Sequence, residues 1–225
     1  MAQELYEDYF KACTELGYPT VETYLTRKDI APDGSILKSV TDRAHSWCRC
    51  AFNILLSNLG SVNIDDTSFG AGYLSIREPD GDIFYHNRTV TTYSYSAPAG
   101  DTSYGIVVGT SNAGYSFDDY KLWSQISHGI SSGSLCYWNT VRTSSFIDSN
   151  SKYRSIIGRY FNNNSGGDVT VNEVGLVAAI YYYDGYSYYS SVRALMSRDV
   201  LETSDVLQNA FKYYVEYTMI TSYPS

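Results

Sequence analysis

Basic charge is scarce in this sequence. Its 225 residues hold 16 lysines and arginines against 24 acidic groups, a net charge of −8. A chain that grips nucleic acid needs a basic face to neutralise phosphates. Here the cations are scattered, with Arg27-Lys28 the tightest pair, so nucleic acid is not expected as a partner. Charged residues of both signs reach only 18%, below the usual quarter. Long apolar runs are missing as well. The run 174–180 falls far short of the roughly 20 residues a helical span requires, so no membrane is expected. Cysteine is sparse: Cys13, Cys48, Cys50 and Cys136. A chain of this length buries about 70% of its unfolded surface and needs no disulfide staples. The four fit free, mostly buried thiols of a reducing compartment. The first eight residues carry Glu4, Glu7 and Asp8 where an export signal needs basic groups and then an apolar stretch. No such signal is expected, and the sequons at Asn87 and Asn163 then carry no meaning.

What the sequence has in excess is tyrosine. There are 24, against 8 phenylalanines, so most of the aromatic 16% carries a hydroxyl. Hydrophobic residues reach 44%, enough for a real core. The first sixty residues read as helical. Tyr6, Tyr9, Phe10, Cys13 and Leu16 share one helix face, and Gly17 and Pro19 end it. After a Pro32-Asp33-Gly34 turn, Val40, Ala44, Trp47, Cys48, Ala51, Phe52, Leu55 and Leu59 form a second stripe. Ser39 and Asp42 resemble its cap, and Gly60 its stop. The period then changes to two. Strands are expected over 69–76 and 83–86 around the Pro79-Asp80-Gly81 turn, and over 89–95, 104–109, 135–140 and 153–161. Further strands are expected over 169–183 and 186–196, joined at Asp184-Gly185, and over 211–220. Residues 110–134 read as a long loop with an ordered piece at 120–126. The expected fold is mainly β: an antiparallel β-sandwich of 8 or 9 strands behind an N-terminal two-helix segment. The expected division is a helical segment 1–62 and a sandwich domain 63–225.

Candidate chemistry is thin. Residues 129–133, Gly-Ile-Ser-Ser-Gly, match the nucleophile-elbow pattern around Ser131. That motif needs a buried strand before it and a helix after it, whereas a strand is expected after Gly133. His45, Cys48 and Cys50, with Cys136 as a fourth, have zinc-ligand chemistry. On a helix, however, Cys48 and Cys50 point about 200° apart, which leaves Cys48 in the core and Cys50 near the far face. Asp65-Asp66 and Asp118-Asp119 lack calcium-loop spacing and read as solvated or turn-capping pairs. No enzymatic activity, cofactor or metal is expected.

The tyrosines offer more. Tyr181, Tyr182, Tyr183, Tyr186, Tyr188 and Tyr189 crowd one hairpin. Tyrosine gives broad contact, a hydroxyl and low ordering entropy, which suits a subunit interface. Cross-strand pairing that stabilises the sheet and stacking on a sugar are the other readings. These six are the candidate interface residues.

Three stretches, taken in order, point further. Gly105-Ile-Val-Val-Gly-Thr110 precedes Ser116-Phe-Asp-Asp-Tyr-Lys-Leu122. Arg159-Tyr-Phe-Asn-Asn163 precedes Val169-Thr-Val-Asn-Glu-Val-Gly-Leu176. Ala194-Leu-Met-Ser-Arg-Asp-Val-Leu201 precedes the closing Tyr214-Val-Glu-Tyr-Thr-Met-Ile220. The series resembles structural proteins of tailed-bacteriophage particles, which carry "VGTG…S…DY.L", "F.N.SG..VTVNEVGL", "L..RDVL" and a terminal "V.YTI". It covers about residues 104–220. The sequence departs at residues 109–112, which lack the second glycine, and in its Tyr-rich insert after Ile180. Within these stretches, Asn172-Glu173 reads as a β-bulge with Gly175 permitting close approach, and Arg198-Asp199 as an ion pair at a strand end. The resemblance implies a non-enzymatic virion component of head, neck or tail, assembled in the host cytoplasm. Its partners would be other virion proteins and further copies of itself, met through Tyr-rich faces and the N-terminal helices. The alternative is a carbohydrate-binding module of a fibre or adhesin tip.

Overall fold

The computed structural model describes residues 11–13, 15, 16, 18, 20–44, 46–60, 75–84, 92–147, 152–183 and 188–222. Among these, the chain is a mainly β, antiparallel sandwich. The first sheet takes β1 (Thr20–Ile30), β2 (Ile36–Arg43), β7 (Cys136–Tyr137), β8 (Val141–Ile147), β9 (Lys152–Asn162) and β12 (Lys212–Ser222). Its order is β2-β1-β12-β9-β7, and β8 follows β7 along the same side of β9. The second sheet takes β5 (Thr92–Ser94), β6 (Gly105–Gly109), β10 (Val169–Tyr183) and β11 (Tyr188–Leu207), with β10 between β11 and the β5/β6 side. A two-residue ladder, β3 (Ile76–Arg77) with β4 (Ile83–Phe84), forms the hairpin expected around Pro79-Asp80-Gly81. One helix, Arg49–Gly60, packs on β11.

The largest departure from expectation lies inside the segment read as helical, residues 1–62. Residues 11–13 are helical and a helix ends at Gly60, but β1 and β2 lie between them in the six-stranded sheet. The sandwich therefore takes in chain from Thr20 onward. The Pro32-Asp33-Gly34 turn joins two strands, with Gly34 in the left-handed region at φ 88° and Gly34 N–H donating to Ala31 O at 2.9 Å. Thr20, Val21, Thr23, Tyr24 and Thr26 are β-formers, and the alternation places Thr23, Leu25 and Arg27 inward. Val40 belongs to β2, and Asp42 pairs with Arg27 instead of capping a helix. Tyr6, Tyr9 and Phe10 lie outside the described residues.

The core sits between the sheets. Ile157 and Phe161 of β9 and Tyr213, Val215 and Tyr217 of β12 face inward and are buried. Phe161 meets Tyr137 edge-on at 4.8 Å. Tyr137, Tyr213 and Tyr217 are thus core residues, and each of these three hydroxyls has a partner, as a buried polar group requires. Tyr137 donates to Ile126 O at 2.7 Å. Tyr213 donates to Asp205 at 2.6 Å and Tyr217 to Asp199 at 2.7 Å, each bond crossing from β12 to β11. Asp199 also accepts from Ser197. It is held by these hydroxyls and not paired with Arg198, which corrects the expected Arg198-Asp199 ion pair.

Asp205 draws donors from three strands. Besides Tyr213 it receives Arg27 Nη1 at 2.6 Å from β1 and Lys38 Nζ at 2.5 Å from β2. A second buried arginine, Arg159, is satisfied without any carboxylate. Its nitrogens donate to the carbonyls of Trp138, Tyr104, Ile106, Pro98 and Asp101 at 2.6–3.2 Å. The guanidinium lies 4.8 Å from the Tyr137 ring centre. Burial draws it down to about 10, so it stays charged at neutral pH. This fork clips residues 98–106 onto β9.

Burial alone would raise the Asp205 carboxyl, but Lys38, Tyr213 and Arg27 outweigh it and hold it below its usual range. A depressed folded value stabilises above the unfolded pKa and the benefit fades as pH falls through the folded one. Asp29 nearby is raised by burial and works in the opposite sense over that window. Asp205→Asn is therefore expected to cost about 3–5 kcal/mol at pH 6. In urea unfolding, the gap between the two proteins should shrink steadily below about pH 4. A gap independent of pH would contradict this account.

Candidate functional site

Two surfaces stand out, one on each layer. The first is built on the Arg49–Gly60 helix. Before it, Ser46–Cys48 runs against the edge of β11, with Cys48 N–H donating to Met196 O at 2.8 Å and Arg198 N–H to Ser46 O at 3.1 Å. The helix then turns Cys50, Asn53 and Ile54 inward. Asn53 Nδ2 donates to Ser75 O at 2.8 Å and the Cys50 thiol to Arg77 O at 3.7 Å. The opposite positions, Phe52, Leu55 and Leu56, sit at i, i+3 and i+4 and are 45%, 51% and 55% exposed. Phe117 extends this apolar ridge, its ring 5.6 Å from that of Phe52. The expected inward stripe is thus split. Ala51 is half-buried, while two of the large members, Phe52 and Leu55, point to solvent.

Beside the ridge is a cleft of about 220 Å³ whose lining includes Arg49, Arg77, Ile83, Asp118 and Tyr120. Arg49 pairs with Asp118 and lies 4.9 Å from the Phe117 ring centre. Arg77 stacks on Tyr120 at 3.8 Å. The loop carrying Phe117 to Tyr120 is anchored by a buried ion triad. Arg198 Nε donates to Glu173 at 2.7 Å and Nη1 to Asp119 at 2.9 Å, and its remaining donors reach the Gly114 and Ala113 carbonyls. Glu173 also accepts from Ser124 N–H at 2.9 Å and Trp123 N–H at 3.3 Å. The bulge expected at Asn172-Glu173 is present as a register shift between Val171 and Glu173. Gly175 is the expected close approach, since a Cβ there would lie 2.9 Å from Leu122.

The second surface is the outer face of the six-stranded sheet. Trp138 N–H donates to Tyr160 O at 3.0 Å, Tyr160 pairs with Tyr214, and Tyr214 with Lys28. Directly opposed residues share a face, so Trp138, Tyr160, Tyr214 and Lys28 form a row across the strands. Tyr160 and Tyr214 ring centres are 4.6 Å apart, and Lys28 Nζ is 5.5 Å from the Tyr214 ring. Tyr214 lies over Gly158, where any Cβ would collide with its ring, and its hydroxyl donates to Glu216 at 2.7 Å. Burial, then Glu216, push that phenol well above its usual range. Trp138 and Tyr160 remain 51% and 44% exposed. Sequence reasoning missed this row. Each strand shows the alternation, but only the pairing of β12 with β9, and of β9 with the chain at Trp138, brings these positions side by side.

The hairpin tyrosines sit on β10 and β11, with Tyr181 opposite Ser190, Tyr182 opposite Tyr189 and Tyr183 opposite Tyr188. Tyr186 lies outside the described residues, as do His45 and Asp65-Asp66. Ser131 sits on a turn that leads into β7, its carbonyl accepting from Ser134, so neither a helix nor a strained elbow follows. Cys50 is buried, not on a far face, and the Cys48, Cys50 and Cys136 thiols donate to separate carbonyls. All four cysteines are free. Among the described residues no three His, Cys, Asp or Glu side chains converge as a metal site. No described helix is long and apolar enough to cross a membrane.

Replacing Arg198 with Met strands two buried carboxylates and releases residues 113–124. The expected cost is about 3–5 kcal/mol, seen as a fall in Tm of roughly 10 °C. An unchanged Tm would show that the loop is held elsewhere. Against known proteins the chain stands apart: no family model matches it, and no curated protein or solved structure is significantly similar.

Proposed function

We propose that this chain is a structural subunit of a tailed-bacteriophage particle, a head, neck or tail component that acts by oligomeric assembly. The observation that carries the reading is the apolar ridge of Phe52, Leu55, Leu56 and Phe117 on a braced sandwich. A helix whose inner side already fills the core gains nothing from a second apolar side in water. Contiguous exposed apolar side chains of this kind mark contact surfaces. The partner expected there is another copy of the chain, which would continue the role anticipated for the N-terminal helices. The hairpin tyrosines remain a candidate second contact.

The particle resemblance supports the same reading through residues with folding roles. Its central stretch contains the Glu173 bulge and Gly175, and its "RDVL" stretch contains Arg198 and Asp199, all of which hold the sandwich together. Such roles suit a building block that must keep its shape under load.

Mass spectrometry of purified virions should find the chain at a fixed copy number, and its absence would overturn the assignment to a particle. For the ridge, Leu55→Asp should weaken self-association at least tenfold by light scattering while leaving Tm within a few degrees. Undiminished self-association would remove the ridge from the interface.

A further inference from the structure

We propose that the row Trp138–Tyr160–Tyr214 on the outer face of the six-stranded sheet is a binding platform for a neutral glycan chain. The inference is independent of the assembly reading, because the helix ridge lies on the other layer of the sandwich.

The row runs from β12 through β9 to Trp138, which is hydrogen-bonded to Tyr160 just after β7, so at the usual strand spacing of about 4.8 Å its three positions reach across roughly 10 Å. Tyr160 and Tyr214 stand on strands, and Trp138 immediately follows β7. Pyranose rings present one apolar C–H face and an edge of hydroxyls. A ligand of that shape needs aromatic faces to stack on and hydrogen-bonding groups alongside. Both are present. The Tyr214 ring is held in place before any ligand arrives. Tyr214 is fixed from below by Gly158, at its hydroxyl by Glu216 and by the tilted Tyr160 ring 4.6 Å away. Preorganised aromatic side chains lose little entropy on binding.

The flanks supply the polar groups. Lys28 and Ser39 continue the row on β1 and β2. The next row holds Glu216, Thr26 and Thr41, with the two threonine hydroxyls 2.9 Å apart. These groups include donors and acceptors in a strip parallel to the rings. Their charges oppose one another, with Lys28 against Glu216, so the strip has no net sign with which to select an anionic polymer. A protein partner would favour an apolar centre with a polar rim. Here the hydroxyls run beside the aromatic row instead of enclosing it, which fits a linear sugar chain lying along the sheet face.

The test uses the full chain and calorimetric titration with chitohexaose, cellohexaose and maltohexaose, with a hyaluronan hexasaccharide as the anionic comparison. Binding to at least one neutral hexasaccharide and not to hyaluronan is expected. Trp138→Ala and Tyr160→Ala should each weaken it at least tenfold, with Tm unchanged as befits exposed side chains. Trp138→Phe, which keeps a ring, should retain most of the affinity and excludes a mere folding defect. Tyr188→Ala on the β10–β11 hairpin should leave binding intact. No binding to any neutral glycan at millimolar concentration would overturn the proposal. So would binding lost in Tyr188→Ala but kept in Trp138→Ala, or substitutions in the row that change only self-association.

Discussion

One carboxylate ties the two sheets of this protein together. Asp205 on β11 is buried and accepts from Arg27 of β1, Lys38 of β2 and Tyr213 of β12. Three strands of one sheet thus converge on a single residue of the other. A buried charge is tolerated only when it is paired and hydrogen-bonded, so the register of β1, β2 and β12 must bring those three donors to one point. Sliding β12 by one residue would turn Tyr213 to the solvent face and orphan the carboxylate. Tyr217 and Asp199 repeat the arrangement further along the same two strands. These polar links add specificity of register to a core whose apolar contacts alone would allow neighbouring packings.

This accounts for part of the tyrosine excess. A phenylalanine at 213 or 217 would fill the same space and leave a buried aspartate short of a donor. The same logic operates at Tyr137, whose hydroxyl closes on the Ile126 carbonyl. On the outer face the hydroxyl has a different use: Tyr214 reaches Glu216 with its hydroxyl end over Gly158. Tyrosine serves two environments here, and in both its position is fixed by a carboxylate or carbonyl partner.

The strands from 105 onward were largely legible in sequence because their period, turns and β-branched content agree. β10 is apolar on both faces and was expected as a central strand, and the Asn172-Glu173 irregularity was visible as a change of facing. β1 and β2 were not. Trp47, Cys48 and Ala51 at helical spacing drew Val40 and Ala44 into one stripe, although Val40 belongs to a strand that pairs with β1. The start of the helix was not readable, since Ser46–Cys48 first runs along β11. β8 is polar and short of periodicity, and it exists because β9 offers it a ladder. The surfaces were harder still. A cysteine and a phenylalanine two apart on a helix look alike in sequence, and only the position of β3 decides that Cys50 goes in and Phe52 goes out.

The two surfaces have a geometric relation that bears on how such a protein works. The helix ridge is attached to the four-stranded sheet through β11, and the aromatic row belongs to the far side of the six-stranded sheet. Between them lies a core crossed by Asp205, Asp199 and the Arg159 fork. A subunit that packed against its neighbours through the ridge would use residues of the other layer and leave the aromatic row out of that contact. The rigid links between the sheets then fix the orientation of that row relative to the assembly. An array of such subunits would present many copies of one weak site in a single orientation, and multivalency of that kind raises avidity by orders of magnitude without any new contact. Stacking on a few exposed rings gives modest affinity per site. Repetition is the physical condition under which it becomes useful, and the assembly proposed through the opposite layer would supply that condition.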